Sequence, residues 1–193
     1  MRALERLLFV TGRPGVGKTT LILKIADELR EEGYAVGGMI TREVREEGRR
    51  TGFEIIDLLS NKRDFLAHIN QPSGPRVGKY RVNLVALSLI GAWSIRRALE
   101  KADVIVIDEV GPMELNSEEF KSAVKKALDS SKLVIGTIHY RISSSLIKEI
   151  SSREDTLIFK INLKNRGYLH RVILDKAFLF LRESEVKKGD SLC

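Results

Sequence analysis

Two hydrophobic patterns take turns along this 193-residue chain. Leu7, Leu8, Phe9 and Val10 form an unbroken apolar run that stops at Thr11 and Gly12, as expected of a short strand covered on both faces. From Lys18 onward Leu21, Ile25 and Leu29 recur every four residues, with Ile22 and Ala26 beside them. This spacing predicts a helix over 18–32, stopped by Gly33. Residues 34–41 return to a strand pattern, and so do 104–108, 133–139 and 157–163. Helices are predicted over about 83–101, 117–129, 143–151 and 165–182. Asn83 and Ser117 are suited to cap two of them, and Glu118 and Glu119 place acids on a first turn. Trp93 falls on a helical apolar face and reads as core. Strands alternating with helices predict an α/β fold of three layers, helices on both faces of a mainly parallel sheet.

Residues 42–81 break the alternation. A turn at 47–50, a strand over 53–58, a turn at Asn61 and Lys62 and an antiparallel return over 63–69 describe a β-hairpin insert after the second strand. Pro72, Gly74, Pro75 and Gly78 then mark a loop expected to be mobile over one edge of the sheet. The expectation is one domain over 1–182, with 42–81 as its β insert and loop, followed by a fraying polar tail over 183–193.

Composition narrows the class. Hydrophobic residues make up 43% and charged residues 31%, which excludes disordered and collagen-like chains. A single cysteine, Cys193, excludes a disulfide framework, and His68, His139 and His170 lack metal-ligand spacing. The longest apolar stretch, 84–93, contains Ser88 and Gly91 and is too short to span a membrane. The first ten residues carry Glu5 and show no small-residue cleavage site, so a cytoplasmic setting is expected. The net charge of +7 suits an anionic partner. Charges of both signs are interleaved, so it admits nucleic acid without requiring it. A monomer or weak oligomer is expected.

The chemistry concentrates in two segments. Gly12, Arg13, Pro14, Gly15, Val16, Gly17, Lys18 and Thr19, followed by Thr20, match G-x-x-x-x-G-K-[ST] between a strand and a helix. Glycines let the backbone bring its N–H groups onto phosphate oxygens, and the helix points its positive end at the same place. Lys18 supplies charge to the β- and γ-phosphates, and the Thr19 hydroxyl is a hard ligand suited to Mg²⁺. The second segment is Val104, Ile105, Val106, Ile107, Asp108, Glu109, Val110 and Gly111. A buried strand delivers Asp108 to the carboxyl edge of the sheet, where it can hold the metal. Strand alternation sets Glu109 on the opposite face, where it can deprotonate a water beside the γ-phosphate. Lys18 and Glu109 are therefore the candidate catalytic residues, and Thr19 and Asp108 the candidate metal ligands. Glu114 is expected near the same edge.

Other positions carry two readings each. Thr137 either senses the γ-phosphate or is a strand residue chosen for β-propensity. His139 at a strand end reads as structural or solvated before catalytic. Asn165 and Arg166 read as base contacts and as the start of the last helix, with Asn165 as its cap, and both can hold at once. Thr41, Glu43 and Arg50 reach the active edge if the insert folds back, and Arg76, Lys79 and Tyr80 are placed to close over phosphates.

These segments follow one another in an order that defines a family. GRPGVGKTTL, GGMITREVREEGRRTGFEIIDL, RVGKY, VIVIDEVGPMEL, VIGTI and the Asn165–Arg166 pair together resemble the nucleoside-triphosphatase family of thermophilic archaea and bacteria, which has a cancer-related animal relative. The resemblance covers roughly residues 5–180. It implies a P-loop fold of the RecA-like, additional-strand class, with sheet order 5-1-4-3-2. It also implies Mg²⁺-dependent hydrolysis of ATP, GTP, CTP, UTP or TTP to diphosphate and phosphate, with broad base tolerance. The family's nucleotide segments map onto residues 12–19 and 104–111; nothing in it maps onto His139. No Asn-Lys-x-Asp guanine reader is present. The competing classes are a nucleotide or nucleoside kinase, an RNA-stimulated ATPase and a nucleotide-gated binding module.

Overall fold

In chain order the elements of the computed structural model are β1 (Leu7–Gly12), α1 (Lys18–Glu31), β2 (Val36–Glu46), β3 (Arg49–Asp57), β4 (Arg63–His68), β5 (Arg76–Val77) and β6 (Tyr80–Val82). There follow α2 (Leu84–Ala86), a π-helical stretch (Leu87–Ala92), α3 (Trp93–Lys101), β7 (Val104–Val110), α4 (Glu118–Asp129), β8 (Leu133–His139), α5 (Ser145–Ser152), β9 (Thr156–Lys160) and α6 (Leu169–Asp190). The structure describes residues 4–190, with side-chain environments through 186.

Successive side chains of a strand point to opposite faces, so an unbroken apolar run needs cover on both sides. In β1, Leu7 and Phe9 join one core cluster and Leu8 and Val10 the other. The first cluster is closed by Ile95 of α3, Phe120 of α4 and Ile147 of α5, the second by Ile22 and Ile25 of α1 and Ile173 of α6. These are the three expected layers.

The nine strands form one sheet in the order β5-β6-β4-β3-β2-β7-β8-β1-β9. Strands β2, β7, β8, β1 and β9 run parallel to their neighbours in that row, whereas β3, β4, β6 and β5 attach antiparallel. The sheet is therefore mixed, and the expectation of a mainly parallel sheet is corrected. The hairpin insert is larger than expected too. It continues β2 outward, and the Pro/Gly segment read as a loop folds into the β5–β6 pair at the far edge.

Two helix expectations change. The helix opened by Asn83, whose side chain accepts from the Ala86 N–H, carries a π-helical stretch. The wider turn shifts the phase, so Val85, Leu89 and Trp93 line its outer side, and Trp93 is 53% exposed rather than core. The last helix starts at Leu169, not Asn165, and continues to Asp190. The fray expected from Glu183 is thus helical as far as described; the rest of that tail, 191–193, lies outside the described residues.

Candidate active site

β1 delivers the chain to Gly12 and α1 begins at Lys18. The turn between them is allowed by Gly17, whose φ of 105° lies in the left-handed region. Gly17 occupies the N-cap position, so no side chain caps α1, and no acid lies on its first turn. The N–H groups there are free to bind an anion, and the positive end of the helix is unopposed. Val16 is buried in the cluster beneath α1 and anchors the loop, while Arg13, Pro14, Gly15 and Thr20 are exposed. Lys18 Nζ lies 3.3 Å from the Gly12 carbonyl and 3.3 Å from Glu109 Oε2.

β7 brings Asp108 beside that first turn. Its carboxylate is fully buried and accepts two hydroxyl hydrogen bonds, from Thr19 Oγ1 at 2.6 Å and from Thr137 Oγ1 at 2.5 Å. Burial raises the Asp108 pKa above the usual carboxylate value, and the two hydroxyls oppose that shift. The preceding Val104, Ile105, Val106 and Ile107 are buried core, as is Val110, which leaves Asp108, Glu109 and Gly111 as the residues of this segment at the candidate site. Thr137 has a contact that neither of its readings foresaw. Its strand does lie beside β1, and its hydroxyl fixes the Asp108 carboxylate.

The expected opposition of Asp108 and Glu109 is not found. The pairing of β7 with β8 shifts register between Ile107 and Val110, which interrupts simple alternation, and both carboxylates reach the first turn of α1. Burial raises the Glu109 pKa, with the Lys18 ammonium pulling it back. Glu114 comes to the same edge, as expected, and it is buried. Its Oε2 accepts the Gly111 N–H at 3.1 Å, and burial pushes its pKa to about 8. Sequence reading missed that burial, since Glu114 follows a turn where acids are usually solvated.

Other candidates are placed elsewhere. The Asn165 side chain is consumed by its own loop: Nδ2 donates to the Lys160 carbonyl and Oδ1 accepts the Asn162 N–H. It is a turn residue, and Arg166 is exposed beside it. Glu43 pairs with Arg45 and Arg50, and Arg50 also donates to the Tyr80 hydroxyl at 3.0 Å. That network stands on the antiparallel extension together with Thr41. Arg76 and Lys79 lie at or beside β5, the edge strand farthest from β9. A cavity of about 430 Å³ at the opposite end of the strands is lined by Arg6, Tyr34, Lys132 and Glu185. Arg6 and Lys132 are committed there to backbone carbonyls.

Thr19 Oγ1 and Asp108 Oδ2, held side by side, are hard oxygen donors of the kind Mg²⁺ accepts. Among the described residues no group of three or more His, Cys, Asp and Glu could hold a metal. A cation here would therefore share its shell with phosphate oxygens and water, which suits Mg²⁺. Among the described residues no helix is long and apolar enough to cross a membrane.

A glycine-rich loop feeding an uncapped helix, with a buried Asp at the end of β7, one strand removed from β1, defines a P-loop nucleotide-binding protein. The model of the NTPase family matches residues 7–174, and the chain belongs to that family. The nucleoside-triphosphatase THEP1 of Thermofilum pendens is 50% identical over 161 residues, covering 83% of this chain and 88% of that protein. The crystal structure of THEP1 from the hyperthermophile Aquifex aeolicus superposes with a TM-score of 0.78 at 33% identity, covering 87% of this chain and 96% of the other. The solution structure of a human cancer-related nucleoside triphosphatase gives 0.75 at 36% identity, covering 88% and 96%.

Proposed function

We propose that this protein hydrolyses nucleoside triphosphates to diphosphate and phosphate, with Mg²⁺ and with broad tolerance of the base. The observation that carries this reading is the chain Thr19–Asp108–Thr137 set beside the Lys18–Glu109 pair, all under the open N-terminus of α1. Backbone N–H groups of the loop and of the first turn of α1, Gly15 and Gly17 to Thr19 among them, take the phosphates. Thr19 and Asp108 would hold the metal, which would neutralise phosphate charge. Lys18 turns from Glu109 to the phosphates, leaving Glu109 free to accept a proton from the attacking water. Burial raises the basicity of that carboxylate, which suits it to the task near neutral pH.

Broad base tolerance follows if binding energy comes from phosphates and metal, which every nucleotide shares. The absence of an Asn-Lys-x-Asp guanine reader from the sequence supports this. The test is phosphate release from each common NTP with Mg²⁺ and no acceptor. The expected kcat/KM values lie within about tenfold of one another. Lys18→Ala should lose most turnover, and Thr19→Ala should show the stronger change in Mg²⁺ dependence. Turnover only in the presence of an acceptor would make the protein a kinase, and turnover only with RNA an RNA-driven ATPase.

A further inference from the structure

His139 ends β8, where it stands in register with Gly12, the first residue of the phosphate loop. Alternate residues of β8 share its α1 side. Ile135 packs into the cluster beneath α1, Thr137 reaches Asp108, and His139 follows two residues on, past the buried carboxylate. The strand therefore aims His139 at the side on which phosphates bind.

The imidazole is oriented by its own loop. Nδ1 accepts the backbone N–H groups of Arg141 at 3.3 Å and Ile142 at 3.2 Å. A ring nitrogen engaged as acceptor carries no proton, so the neutral ring carries it on Nε2, the end turned away from residues 141 and 142. The charged form is disfavoured by partial burial first, then by Lys18 and Arg141, so the pKa is lowered. The result is an oriented neutral N–H donor beside the phosphate loop, one that adds no cation against Lys18.

We propose that His139 donates its Nε2–H to a γ-phosphate oxygen of the bound nucleoside triphosphate. This rests on the site reading above and adds a residue to it. Charge spreads over the γ-phosphoryl oxygens as the bond to the leaving group breaks, and a donor already fixed in place needs no reorganisation to meet it. The Nδ1 contacts are what fix it, so the loop 139–142 and the site are built together.

The two functions of the ring can be separated. In His139→Asn, the amide oxygen takes the place of Nδ1 as acceptor for the two N–H groups, and nothing replaces Nε2–H. In His139→Gln, the amide nitrogen reaches the Nε2 position and the loop acceptor is lost. His139→Asn should melt close to the parent and bind ADP within about twofold of it, while kcat falls about 10–100-fold, the worth of one hydrogen bond to a charged group. His139→Gln should recover much of that loss. In the parent protein, the nitrogen-15 signals of the ring should show the Nε2–H form. The Nε2–H proton should shift with a non-hydrolysable triphosphate and Mg²⁺ but not with ADP and Mg²⁺. Parental turnover in a folded His139→Asn variant, or an Nε2–H signal indifferent to the triphosphate, overturns the proposal. If His139→Asn fails to fold, the spectrum of the parent and the His139→Gln variant decide. Loss of turnover in Lys18→Ala beside full turnover in His139→Asn rejects the histidine alone; full turnover in both rejects the site.

Discussion

Glu109 and Glu114 converge on one glycine: a Cβ placed on Gly111 would lie 3.1 Å from an oxygen of each. The two carboxyls have different partners and so different expected roles. Glu109 has the Lys18 ammonium at 3.3 Å and open access toward the phosphate loop, so it is suited to take a proton during turnover. Glu109→Gln keeps size and polarity but cannot accept the proton. Nucleotide affinity should stay within about threefold while kcat falls by roughly 10²–10⁴; turnover above about a third of the parental rate would remove Glu109 as base. Asp108→Asn should weaken Mg²⁺-dependent binding as well. Glu114 instead has a backbone N–H for a partner and two carboxylates for neighbours, and its pKa rises from 4.5 to about 8. The folded protein then holds a proton that the unfolded chain gives up above pH 4.5. Stability from this group is full below about pH 4.5, is eroded at roughly 1.4 kcal/mol per pH unit as pH climbs, and levels off above about 8. Glu114→Gln removes that erosion while its amide oxygen can still accept the Gly111 N–H. In metal-free buffer, the melting temperature of the variant relative to the parent should therefore rise between pH 5 and 8. Parallel curves would show that Glu114 is ionised in the fold.

At the scale of elements, the sequence was most readable where one local rule sufficed. The apolar runs located β1, β7 and β8, because a doubly covered strand has no polar face to confuse the pattern. The Ser117 cap located α4, its hydroxyl accepting the Phe120 N–H as the motif requires. The phosphate loop was readable because its spacing is its mechanism. Elements set by long-range pairing were not. β5 has two residues, too few for any periodicity, and exists because Arg76 and Val77 find Arg81 and Tyr80. The β7 irregularity that turns Glu109 toward Lys18 depends on the pairing with β8 and leaves no mark in VIVIDEV. β2 carries a similar hidden requirement. Gly38 has a φ of 107°, and a Cβ there would lie 2.0 Å from the Val106 carbonyl oxygen, across the pairing that holds β7 in line. Gly38→Ala combines a backbone clash with a disfavoured conformation. It should cost ~3 kcal/mol or more, read as a large drop in denaturant midpoint; a loss under ~1 kcal/mol would mean that β2 and β7 can separate locally without cost.

The strands of the molecule form one sheet with a parallel and an antiparallel part. The parallel strands β2, β7, β8, β1 and β9 gather their carboxyl ends at the phosphate loop, while the antiparallel strands extend the other way. β6 lies six strand positions from β1, roughly 30 Å at ~4.8 Å per strand. Its side of the sheet is tied internally, with Arg50 joined to Glu43 and Tyr80 and with its guanidinium 5.2 Å from the Phe53 ring centre. Folding 63–82 onto a nucleotide would require breaking those ties and bending a sheet whose inner face is packed against α2 and the π-helical stretch. Nucleotide binding should therefore be felt locally. Hydrogen exchange with and without a non-hydrolysable triphosphate and Mg²⁺ should show new protection in residues 12–20, where N–H groups meet phosphates, and in 137–142, where His139 and its loop stand against them. Amides of 63–82 should exchange at unchanged rates. Protection appearing in 63–82 together with the phosphate loop would show that the extension closes over the nucleotide, and it would return the arginines of that segment to the candidates for contact with substrate.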